Sequence, residues 1–178
     1  MNSQENRSYS RVSTHIQAWA RKMSPGDPGP LFRSGSWGWL QEQIPALKDS
    51  SLPEGLRFFL ETINTKLDTL LSLCSEQVLQ ADFPLKLHVV ELSGAGLKCL
   101  LPAEDLQKGD QLEVILVLAQ FPVNLAGVSG QVLRQESSQG QKLLALEFSS
   151  LRQSEREKIV QFVFREQREQ IRTLKNDD

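Results

Sequence analysis

Between Pro84 and Leu151 the chain breaks into short apolar runs separated by turn residues. The runs are LKLHVVELS, GLKCLLP, GDQLEVILVLA, VSGQVLRQES and QKLLALEFSSL. They are rich in Val, Leu and Ile and bounded by Gly, Pro, Asp and Ser, which marks strands rather than helices. Short strands at this spacing predict a small antiparallel barrel and argue against a parallel α/β sheet. Residues 84–152 are assigned to this barrel.

One more strand lies far upstream. In VSTHIQAWAR, Val12, Thr14, Ile16, Ala18 and Ala20 fall on one side, and Ser13, His15, Gln17, Trp19 and Arg21 on the other. A period of two predicts a half-buried strand, placed at 12–22. Residues 1–11 form a polar tail with no core pattern, bearing Arg7 and Arg11 just ahead of that strand. Residues 23–50 are an irregular linker, punctuated by Pro25, Gly26, Pro28, Gly29, Pro30, Gly35, Gly38 and Pro45. A connection of this length is normally functional or packed down, and Trp37 and Trp39 are the side chains expected to pin it.

A helix is predicted over 51–80. Ser51 and Glu54 fit a capping box, with Pro53 in the first turn. Leu56, Leu60, Ile63, Leu67, Leu70 and Cys74 then recur at alternating spacings of four and three. That heptad period is the mark of a coiled-coil seam, so the helix is expected to pair with copies of itself. Packing on its own domain is the alternative. Phe59, Leu71 and Val78 widen the stripe. A second helix is placed at 153–175, capped by Ser154 and Glu157. Ile159, Val160, Val163 and Phe164 are its expected barrel-facing residues. Beyond Phe164 it is mostly charged or Gln, and should project or meet a partner.

The chemistry-bearing inventory is thin. His15 and His88 each sit in a strand pattern, and no ligand set has metal-site spacing. No phosphate loop or dinucleotide fingerprint is present, and an enzyme is not expected. The chain has 20 basic and 22 acidic side chains, a net charge of −2, so general attraction to DNA or an anionic membrane is not indicated. No apolar run is long enough to span a bilayer. The first ten residues lack a secretory h-region, which gives a cytoplasmic expectation. Cys74 and Cys99 are expected to be buried thiols, with a disulfide the minority alternative.

Anion recognition is better supplied. Arg7 and Arg11 offer two planar guanidinium forks, suited to phosphate or to the O6 and N7 edge of guanine. If the first two strands are neighbours, Glu91, Ser93 and Gly96 meet that tail at the rim. They add an acceptor for guanine N–H groups, a hydroxyl, and a backbone open to close approach. A plain hairpin turn beside ordinary tail arginines is the bland reading of the same residues.

The order of Arg7-x-x-x-Arg11, a strand, Glu91-x-Ser93-x-x-Gly96, further strands and a terminal helix resembles the PilZ domain family of bacterial cyclic di-GMP receptors. The resemblance covers residues 7–22 and roughly 84–170. It implies a six-stranded antiparallel barrel, with the long heptad helix inserted after the first strand. It also implies a tail that wraps the dinucleotide, with Arg7, Arg11, Glu91, Ser93 and Gly96 as ligand-binding residues. Three departures stand out. Glu91 replaces the usual Asp or Asn, Ala145 replaces a usual Gly, and residues 23–83 intervene between the first strands. The resemblance implies a cyclic di-GMP effector acting on an unidentified downstream protein, in motility, biofilm formation or polysaccharide secretion. The alternative is an oligomeric PilZ-like scaffold or adaptor that does not bind nucleotide.

Overall fold

A computed structural model describes residues 10–27, 29–32, 52–100, 106–120, 123–138 and 140–176. The elements run β1 (Arg11–Lys22), α1 (Glu54–Asp82), β2 (Leu85–Ser93), β3 (Gly96–Leu100), β4 (Gln111–Gln120), β5 (Val123–Ser138), β6 (Gln141–Ser150) and α2 (Gln153–Asn176). The strands close into one antiparallel barrel in the order β1-β2-β3-β6-β5-β4. Closure leaves no long sheet edge to template aggregation. β1 meets β4 only from Ala18 to Lys22. The earlier part of β1 is held from α2 instead: Gln167 Nε2 donates to the Arg11 carbonyl at 3.3 Å and Gln170 Nε2 to the Ser13 carbonyl at 2.7 Å.

Alternation fills the barrel as expected. Val12, Ala18 and Ala20 of β1 point inward with Leu87, Val89, Leu92, Leu112, Val114, Leu116, Leu144 and Leu146. α2 closes over this core with Ile159, Phe162 and Val163, spaced to share one helix face. Phe164, expected to face the barrel, is 55% exposed; Phe162 takes that place because it lies on the Ile159 side of the helix. α2 begins at Gln153, so Ser154 lies inside the first turn and not at the cap. There the neighbouring Glu155 is buried and accepts the Gly127 N–H at 2.9 Å.

A second apolar cluster lies outside the barrel. Trp19, Ile115 and Leu125 on the outer faces of β1, β4 and β5 are covered by Leu79 and Phe83 at the end of α1 and by Phe32. This explains why Trp19 is buried although it sits on the side predicted to face solvent. Phe32 lies so close to β5 that a Cβ at Gly127 would run into its ring. β5 starts five residues before the VSGQ pattern, because Val123 and Leu125 belong to this outer cluster.

The linker is packed down where it is described. Glu113, only 1% exposed, accepts Arg21 Nε at 2.8 Å and the N–H groups of Leu31 and Phe32 at 3.0 and 2.7 Å. Arg21 also reaches Asp27 at 3.0 Å and the Gly29 carbonyl at 3.2 Å. A buried carboxylate is tolerable only when its lone pairs are filled in this way. Trp37 and Trp39 lie outside the described residues.

α1 starts at Glu54 with Pro53 as its N-cap and no side-chain cap bond. Pro53 is therefore ahead of the first turn, and Ser51 lies outside the described residues. Leu79 and Phe83, at the end of the helix, pack against the barrel. Leu56, Leu60, Ile63, Leu67, Leu70 and Cys74 are all exposed. Cys74 thus differs from the buried-thiol expectation, because the helix face that carries it leaves the domain uncovered. Cys99 is fully buried, and both cysteines are free.

Candidate functional site

Two bulges aim side chains at one patch of the barrel's outer surface. In β2, Val89 pairs with Cys99 but Glu91 pairs with Lys98, so Val90 is an extra residue. The bulge lets Leu92 point into the core while Glu91, beside it, points out. In β5, Val132 pairs with Leu146 but Arg134 with Ala145, and Leu133 is extra. The result is a lateral row across five strands: Ser13, Glu91, Lys98, Ala145 and Arg134.

Arg11 is the first residue of β1, paired with Ser93, and not the last residue of a tail as expected. Its Nη1 donates to Glu91 Oε1 at 3.3 Å. Lys98 Nζ lies 4.0 Å from Glu91 Oε2 and 3.1 Å from Glu136 Oε2. Arg134 Nε donates to Glu136 Oε1 at 2.6 Å. The Lys98 ammonium, and secondarily Arg134, hold the Glu136 carboxyl below the usual carboxylate range.

Ser93 builds the turn that joins β2 to β3. Its hydroxyl accepts the N–H groups of Ala95 and Gly96 at 3.3 and 3.2 Å and donates to the Gly96 carbonyl at 3.1 Å. Gly96 has a packing reason of its own, since a Cβ there would strike the Leu146 carbonyl oxygen on β6. Both residues thus shape the site's floor. A cavity of about 170 Å³ opens over it, lined by Arg11, Glu91, Ser93, Gly96, Lys98 and Arg134 among others.

Four of the five residues expected at the site are therefore together, and Arg7 lies outside the described residues. Lys98, Arg134 and Glu136 were missed. Lys98 was legible as the residue two beyond Gly96 on a strand; Arg134 was not, because the bulge at Leu133 shifts its face. Ala145 pairs with Lys98 on one side and Arg134 on the other, so it separates the two cations in the row.

A larger cavity, about 750 Å³, lies elsewhere, between α2 and the β4–β5 hairpin, with Leu118, Phe162, Phe164, Arg165, Arg168 and Ile171 in its wall. Among the described residues no cluster of His, Cys, Asp or Glu is arranged to hold a metal ion. His15 and His88 are both exposed. No described helix is long and apolar enough to cross a membrane.

The fold and this charged face define a small closed-barrel module with a terminal helix. The PilZ domain family matches residues 55–165. The chain belongs to the PilZ domain family. Residues 1–54, with Arg7, Arg11 and the rest of β1, precede the matched segment. No curated protein is matched in sequence. Among solved structures, the chain is similar to Escherichia coli YcgR in complex with c-di-GMP, at 12% identity and a TM-score of 0.53, over 97% of this chain and 51% of that one. It is similar to the Bacillus subtilis inhibitor of motility MotI/DgrA, at 12% identity and a TM-score of 0.51, over 92% and 51%. It is also similar to a Xanthomonas campestris protein, described as a tetrameric PilZ domain self-assembled via a helical bundle, at 23% identity and a TM-score of 0.51, over 90% and 88%. The chain spans about half the length of the first two proteins.

Proposed function

We propose that the chain is a cyclic di-GMP effector whose ligand is held between the N-terminal arginines and the β2–β3 turn. The observation that carries this reading is the convergence of Arg11, Glu91, Ser93 and Gly96 on one cavity from three strands. Arg7 and Arg11 would address guanine edges and phosphates, and Glu91 would accept from guanine N–H groups. The YcgR structure, with c-di-GMP bound on the same fold, supports the choice of ligand. Ligand binding would change the tail's conformation and the surface offered to a downstream protein, with motility, biofilm or polysaccharide secretion as output. Because Gln167 of α2 holds the Arg11 carbonyl, a change at Arg11 has a direct path to that helix. Direct calorimetric titration with cyclic di-GMP tests the reading.

A second reading accompanies it: the chain assembles through α1. The exposed heptad seam favours this, since six apolar or thiol side chains on one face are left in solvent by the single chain. The tetramer described for the Xanthomonas neighbour supports it. If assembly holds and nucleotide does not bind, the chain is an oligomeric scaffold or adaptor. Sedimentation of the whole chain tests this arm.

A further inference from the structure

The charges at the candidate site cancel in the structure. Arg11, Lys98 and Arg134 bring three positive charges to the cavity wall, and Glu91, Glu136 and Glu147 stand among them. A dianion entering this space meets cations that already have partners. The Arg11–Glu91 and Arg134–Glu136 links have an exposed cation, and such pairs exchange for other partners at small cost. The row geometry sorts the cations into two arms. Arg11 stands at the β1 end, Lys98 in the middle, and Arg134 at the β5 end beyond the small Ala145.

We propose that Lys98 and Arg134 form a second cationic arm of the site, which releases Glu136 and takes the far phosphodiester of a two-phosphate ligand. This rests on the cyclic dinucleotide reading above and adds to it. Arg11 would hold one side of the ligand, and Lys98 with Arg134 the other. Glu136 is the resting counter-ion of that arm. Its carboxylate holds the Lys98 ammonium at 3.1 Å and the Arg134 guanidinium at 2.6 Å. Lys98 is three-quarters buried, so its ammonium works with less solvent screening than a free surface lysine.

The test is calorimetric titration of the whole chain with cyclic di-GMP, for the wild type and for Lys98→Met, Lys98→Arg, Arg134→Gln and Glu136→Gln, with melting temperatures as a check on folding. Loss of one charge-assisted contact should weaken binding roughly tenfold to a hundredfold in Lys98→Met, and similarly in Arg134→Gln. Lys98→Arg should retain most of the affinity. Glu136→Gln, which frees both cations, should bind at least as tightly as the wild type. Binding by the wild type that neither Lys98→Met nor Arg134→Gln weakens would overturn this proposal and leave the parent reading standing. No binding by the wild type would overturn both.

Discussion

Arg11 Nη1 lies 3.3 Å from Glu91 Oε1, across the β1–β2 pair and at the mouth of the candidate site. The methylene that glutamate has beyond aspartate lets the Glu91 carboxylate reach both this guanidinium and the Lys98 ammonium at 4.0 Å. The acceptor a ligand would need is thereby engaged with the site's own cations. Glu91→Asp should shorten that reach, release Arg11 and tighten cyclic di-GMP binding. Competition titration would read the change, and weaker binding by Glu91→Asp would count against it.

The buried Glu113 carries a structural prediction. It gathers Arg21 and two backbone N–H groups into one buried knot that fastens the linker to β4. Glu113→Ala removes the acceptor that Arg21 and both amides share, although Arg21 keeps Asp27 and the Gly29 carbonyl, and should cost about 1–3 kcal/mol of stability in urea unfolding. The Phe32 ring, packed on Gly127, should loosen with it.

The two thiols should differ in reactivity. Burial pushes the Cys99 thiol up to about 12, whereas Cys74 is exposed on the α1 seam. Thiolate is the reactive form, so a maleimide at neutral pH should label Cys74 readily in the single chain, more slowly where copies pair along α1, and Cys99 only on unfolding. If copies pair along α1, Leu60→Glu or Leu67→Glu should dissociate them in sedimentation and leave the barrel folded. A wild-type monomer at tens of micromolar would remove the seam from the account.

Glu136 should titrate below an ordinary glutamate. Its folded-state pKa is lowered, so its contribution to stability is present above the unfolded value and fades as pH falls through the folded one. In the folded protein, acid protonates Glu136 and loosens its hold on Lys98. Carboxyl chemical shifts followed against pH should show the low midpoint, and Lys98→Met should raise it toward the usual range.

The strands were readable because Val12, Ala18, Leu87 and Leu144 obey a two-residue period set by the pleat itself. The site was readable in part, because Arg11, Glu91, Ser93 and Gly96 form two short motifs whose strands pair directly. What stayed hidden depends on counting errors that only pairing reveals. The bulges at Val90 and Leu133 move Glu91 and Arg134 between faces, and no local signal announces them. Glu113 was hidden for another reason: its partners Arg21, Leu31 and Phe32 are brought to it only by the chain's return over β4. Phe162 and Phe164 differ in burial because helix register, set by Ile159 and Val163, decides between neighbours of equal hydrophobicity.

The most direct measurement is calorimetric titration of the whole chain with cyclic di-GMP, for the wild type and for Arg7→Ala and Arg11→Ala. The expected result is saturable binding by the wild type, weakened more than about tenfold in each variant because charge-assisted guanidinium contacts are lost. The contradicting result is no heat of binding to the wild type at about 100 µM ligand, or binding that both arginine variants leave unchanged.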